Sequence, residues 1–157
     1  MTTTTIARLK AARRAGVPLV HLVTADPSAS IATIRDGLAS NGSTPPIVLW
    51  DCARGLTAVN RPGAELLSDI APPPEPGSFA PPPGAAYADA IPLLTGADAP
   101  IVLIVCQADR LLTDGTAIQV TATARDTWKA SGGMIVLLSP GGTLPVELAA
   151  DCLTIDD

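Results

Sequence analysis

A chain of 157 residues, 47% of them hydrophobic, is long enough to bury one substantial core, and a single domain over 1–157 is the expectation. With ten basic residues against fifteen acidic ones and a formal charge of −5, it lacks the clustered lysine and arginine that a nucleic-acid backbone demands. No stretch approaches the roughly 20 apolar residues that span a bilayer, so a soluble, cytoplasmic protein without a membrane partner is expected.

Five of the ten basic residues, Arg8, Lys10, Arg13, Arg14 and Arg35, lie at or before position 35. Ile6 to Arg14 reads as a basic amphipathic helix with Ile6 and Leu9 on one side and the charges elsewhere. The apolar run PLVHLVT (18–24) then follows basic sequence as in a targeting signal, but it is short and carries Pro18 and His21, so it reads as a first strand. In SASIATIRDGLAS, Ile31, Ile34 and Leu38 fall at helical spacing, with Asp26-Pro27 or Ser28 as start signal and Asn41-Gly42 as stop. PIVLWDC (46–52) is a second strand.

A helix over Ala64 to Ile70 leads into a proline-rich insertion at 71–86, which contains seven prolines and is expected to be an extended spacer loop. A helix around Tyr87 to Leu94, a strand IVLIVC (101–106) and a strand MIVLLS (134–139) come next. Between the last two, Ile118, Thr121, Ala124, Arg125 and Trp128 mark a crossover helix ending at Gly132-Gly133, although its β-branched residues weaken the pattern. PVELAADCLTIDD closes with a helical turn feeding a strand around Cys152 to Ile155. Strands that are continuously apolar must be covered on both faces. The fold class is therefore α/β, a three-layer open sheet, mostly parallel.

In such sheets ligands collect at the carboxyl ends of the strands. The strands deliver there Thr24 and Asp26, then Asp51, Cys52 and Arg54, then Gln107, Asp109 and Arg110, then Ser139 with Gly141-Gly142. Asp26, Asp51, Arg54, Asp109 and Ser139 are the candidate site residues. A phosphate-binding loop is missing, because ADPSASIAT after the first strand has neither glycine nor lysine, and so is a dinucleotide fingerprint. His21, the only histidine, sits within a buried strand and reads as a hydrogen-bonded core residue; a Ser139, His21 and Asp109 triad lacks the nucleophile elbow. A phosphoacceptor at Asp51 or Asp109 would need a lysine at a strand end, and neither Lys10 nor Lys129 is so placed. Cys52, Cys106 and Cys152, odd in number and far apart, read as small core residues in a reducing compartment, not as a disulfide or zinc set.

The order of Trp50 with Arg54-Gly55-Leu56, Ile101 to Asp109, Leu138-Ser139-Pro140, Leu144-Pro145 and Glu147-Leu148 resembles the N-terminal portion of the uncharacterised AAA-type ATPases of cyanobacteria and chloroplast genomes and of their bacterial and phage relatives. The likeness runs from Pro18 onward, outside the proline insertion, and departs from the family at Ala108 and Arg110. It implies a P-loop NTPase or RecA-like sheet without a Walker A loop, in a chain that is not itself catalytic. It also implies a downstream ATPase module, to which ATP and Mg²⁺ would be confined, and a protein partner or a homo-oligomer formed through that module. A free-standing adaptor domain is the alternative, and a degenerate nucleotide site using Asp109 and Ser139 is a third.

Overall fold

The computed structural model describes residues 3–39 and 44–157. Helix α1 (Thr3–Arg14) precedes β1 (Leu19–Val23), α2 (Pro27–Leu38) and β2 (Ile47–Asp51). A short β3 (Gly55–Ala58), α3 (Arg61–Ile70) and α4 (Tyr87–Thr95) lead to β4 (Val102–Val105). The one-turn α5 (Ala108–Leu111), α6 (Gly115–Ser131), β5 (Met134–Ser139), the one-turn α7 (Val146–Ala149) and β6 (Leu153–Asp156) complete the chain. The strands form one sheet in the order β3-β2-β4-β5-β1-β6, parallel except for the β2–β3 hairpin. This is the expected three-layer, mostly parallel α/β class.

Alternation along each strand sorts the core into two layers. Leu19, Val48, Trp50, Leu103, Val105, Ile135 and Leu137 face one side, where α4, α6 and α7 cover them through Tyr87, Leu94, Trp128 and Leu148. Val20, Leu22, Ile47, Leu49, Ile104, Val136 and Leu138 face the other, under Leu9 of α1 and Ile34 and Leu38 of α2. Each such Val, Leu or Ile contributes about 1.5–3 kcal/mol by leaving water, which is why the apolar runs have no polar face. The first helix is accordingly not a solvated appendage: Thr5, Leu9 and Ala12 are buried against the sheet.

Caps and close contacts fix the ends of the elements. Asn60 caps α3 through Gly63 N–H at 2.9 Å and also accepts from Ile47 N–H at 3.0 Å, tying the helix to β2. Gly63 has to be glycine, since a Cβ there would lie 2.3 Å from the Ile47 carbonyl oxygen. Asp114 caps α6 through Ala117 N–H at 2.8 Å, and left-handed Gly132 (φ 78°) ends it, so the β-branched residues do not stop a 17-residue helix. Trp128, 1% exposed, anchors that helix to the sheet.

Several expectations change. The sequence reading did not include β3; the Trp50-x-x-x-Arg54-Gly55-Leu56 element is a hairpin in which Asp51 pairs with Gly55, whose φ of 68° closes the turn. Cys52 lies on that turn and is exposed, whereas Cys106 and Cys152 are half-buried. The third strand stops at Val105, so Asp109 is on α5, not at a strand end. Helix α2 ends at Leu38 with Ala39 as its cap, and the Asn41-Gly42 stop signal lies outside the described residues. The proline-rich segment 71–86 is without helix or strand and contains a tight turn in which Ser78 N–H donates to the Glu75 carbonyl at 2.9 Å.

Candidate functional site

From β1 the chain crosses to β2 through α2 on one face of the sheet, and from β5 it crosses to β6 through α7 on the other. Adjacent strands whose connections diverge in this way open a crevice at their carboxyl ends, where open α/β sheets bind ligands. The switch point here lies between Val23, the last residue of β1, and Ser139 of β5, which are in register. Ser139, Asp26 and Asp109 border this crevice, while Asp51 and Arg54 lie two strands away on the β2–β3 turn.

The turn after β1 is where a phosphate loop would have to be, and its polar groups are already engaged. Thr24 N–H donates to the Ser139 carbonyl at 2.9 Å, and the Thr24 and Ser30 hydroxyls share a hydrogen bond of 2.9 Å. Asp26 N–H donates to Thr24 Oγ1 at 3.2 Å, and the Asp26 carboxylate accepts from Ala29 N–H at 3.0 Å. Pro27 occupies the first turn of α2 and has no N–H to offer. The N-terminus of a helix attracts anions through its free N–H groups and its dipole. Here the chain's own carboxylate takes that position, and it repels a phosphate.

Ser139 and His21 form a buried pair on the neighbouring strand positions, with Nε2 2.6 Å from Oγ and exposures of 4% for His21 and 1% for Ser139. The serine hydroxyl donates to the Gly141 carbonyl at 3.0 Å. A hydroxyl has one proton, so with that bond made His21 Nε2–H is the donor to Ser139. Burial lowers the His21 pKa from its ordinary 6.5, against the opposing charges of Asp156 and Asp109, and so favours the neutral ring. Neither acid hydrogen-bonds to the imidazole. The pair has the composition of a nucleophile and base but the wiring of a structural clamp between β1, β5 and the 139–142 turn.

Asp109 is exposed and accepts no hydrogen bond among the described residues; Gly142 lies close to it, since a Cβ added there would sit 4.0 Å from Asp109 Cβ. Gln107 ahead of it adopts a left-handed conformation (φ 53°, ψ 43°), the single non-glycine residue among those described to do so. Asp51 is committed to its turn. Its carboxylate accepts from Ala53 N–H at 2.9 Å, Arg54 N–H at 2.8 Å and Arg54 Nε at 2.7 Å. Desolvation alone would raise its pKa, but the Arg54 and Ala53 bonds outweigh it and the net shift is downward.

The five candidates thus divide between two regions of the rim, and four of them, Asp26, Asp51, Arg54 and Ser139, serve local structure. Among the described residues neither lysine is at this rim to neutralise a phosphate. Lys129 pairs with Asp126 and Asp151, and Lys10 lies on α1. Among the described residues no group of three His, Cys, Asp or Glu side chains could hold a metal ion. A small cavity of about 280 Å³ beside the clamp is lined by His21, Gly142, Thr143, Leu144, Ala149 and Thr154, with no charged side chain in its wall. The sequence reading placed Thr24 and Gly141 on the rim without assigning them a role and did not include Ser30; only Asp26-Pro27, a helix-start signature, hinted that the first turn is capped internally.

The family model described as SpoVK-like AAA ATPase, N-terminal domain, matches residues 5–156, so the likeness includes both α1 and the proline-rich segment. No curated protein and no solved structure matches the chain.

Proposed function

The chain belongs to the family of SpoVK-like AAA ATPase N-terminal domains, and from that premise we propose that it acts as a non-catalytic domain of such an ATPase, serving assembly, regulation or recruitment of a protein partner. The observation that carries this reading is the Asp26 carboxylate at the start of α2, held by Ala29 N–H where a nucleotide phosphate would have to bind. A sheet of this class without a lysine-bearing loop has nothing to offset the β- and γ-phosphate charge. ATP and Mg²⁺ would then act in a separate ATPase module, and this domain would work in the cytoplasm through protein contacts, in a homo-oligomer or with a partner. The Trp50 to Leu56 hairpin and the Leu138 to Leu148 segment further support kinship with the cyanobacterial, chloroplast and phage members.

The test is phosphate release from Mg²⁺-ATP by the purified chain. Release at the rate of protein-free buffer is expected. Turnover that disappears in Ser139→Ala or Asp109→Asn would overturn the reading and restore a degenerate active site at the rim.

A further inference from the structure

At the opposite end of the sheet, the C-termini of α1 and α2 and the turn after α6 surround a cavity of about 280 Å³ lined by Lys10, Arg13, Arg14, Leu38 and Gly132. We propose that this cavity is an anion-binding site for a phosphate-class oxyanion, held by Lys10, Arg13 and Arg14.

The first argument is the fate of the ten cations. Arg35, Arg54, Arg61, Arg125 and Lys129 are in ion pairs, and Arg8 donates to the Thr154 carbonyl at 3.2 Å. Four remain without a partner among the described residues, namely Lys10, Arg13, Arg14 and Arg110, and three of these four line one cavity. In a protein of charge −5 such a concentration of unpaired positive charge is local, not a general property of its surface.

The second argument is burial. Arg13 is half-buried, and its Nε is inaccessible to solvent with no hydrogen-bond acceptor. A buried donor without an acceptor is costly, and native structures almost always satisfy it with protein, water or a bound ion. Several helix carbonyls nearby already accept backbone bonds. At the end of α1, Ala15, Gly16 and Val17 N–H donate to the Ala11, Arg13 and Ala12 carbonyls; Ala39 N–H caps α2, and Gly132 N–H caps α6. None of the three side chains donates to a carbonyl among the described residues.

Geometry limits the ligand. Lys10, Arg13 and Arg14 are spaced i, i+3 and i+4 on α1, so they share a face and repel one another by like charge. A dianion offsets that repulsion, and guanidinium groups match the oxygens of a phosphate through paired N–H donors. A cavity of this size sits at the lower limit for small-molecule sites, which suits one phosphoryl group and not a whole nucleotide.

The probe is inorganic phosphate, compared with chloride at equal ionic strength. At ten times its Kd, phosphate should raise Tm by about 3–5 °C, and Arg13→Gln should weaken its binding about tenfold or more in calorimetry. Arg14→Gln, at an exposed position, serves if Arg13→Gln fails to fold, with a smaller loss of affinity expected. No rise beyond chloride, or unchanged affinity in both variants, would overturn the site. Pyrophosphate and ATP separate the sources: competition at this site by ATP assigns the phosphoryl group of a nucleotide, and binding of phosphate alone assigns the free anion. Displacement only by a glutamate-rich peptide, with no response to phosphate, would also refute the assignment in favour of an acidic polypeptide.

Discussion

The two ends of the sheet contrast sharply in what their polar groups are free to do. At the carboxyl ends of β1 and β5, Thr24, Asp26, Ser30, Ser139 and His21 are all consumed in bonds with one another or with the backbone. At the amino ends, Lys10, Arg13 and Arg14 line one cavity without a partner among the described residues. The rim is where this fold class customarily binds ligands, yet it is the closed end. Position in a fold thus nominates a site, but hydrogen bonding decides whether the groups there can serve a ligand.

Substitutions at the two ends should accordingly differ in sign. The largest effect is expected for Ser139→Ala. It leaves buried His21 without its acceptor and the Gly141 carbonyl without its donor, so urea unfolding should report a loss of about 1–3 kcal/mol; a neutral result would mean that the clamp is not structural. Asp26→Ala removes the α2 cap and should cost about 1 kcal/mol. The same variant also removes the carboxylate that guards the helix start, so any gain of phosphate binding at the rim would show directly that Asp26 was excluding it.

His21 gives the comparison a pH axis. Its folded pKa lies below the ordinary 6.5, so the unfolded chain takes up the proton first. The histidine contribution is therefore complete above about pH 6.5 and lost as pH falls from there through the folded value. Stability measured from pH 7.5 down to 5.5 should decline, and His21→Gln should flatten that decline. An identical slope in the variant would assign it to other groups. Smallest of all, Asp109→Asn should change stability by no more than about 0.5 kcal/mol, since the side chain is exposed and unbonded. At the other end, Arg14→Gln in chloride should be neutral or stabilise by a few tenths of a kcal/mol by relieving like-charge repulsion on α1.

What was legible in the sequence follows from these physical differences. The four apolar runs announced a buried parallel sheet because covering both faces leaves no polar alternation, and all four are strands within a residue or so of the expected limits. The hairpin strand β3 escaped because Gly55-Leu56-Thr57-Ala58 is short, half-exposed and patterned like a loop. Asp109 looked like a strand-end acid because a one-turn helix of four residues has no periodicity to reveal it. The missing phosphate loop could be read directly, as could the Asp26-Pro27 helix start. That Asp26 would turn its carboxylate onto Ala29 N–H, and that Ser139 would spend its proton on Gly141, depends on backbone placement no spacing encodes. The basic cluster was visible as charges on α1, but its enclosure by Leu38 and Gly132 arises only when three helix ends meet.

The contrast between the two ends is tested most directly by a titration of the ¹⁵N-labelled chain with phosphate and then with Mg²⁺-ATP, followed amide by amide. The account predicts saturable shifts around Lys10 to Val17 and Gly132, and none at Thr24 to Ser30, Asp109 or Ser139 to Gly142. Saturable shifts at the rim, with the Arg13 end unmoved, would contradict it.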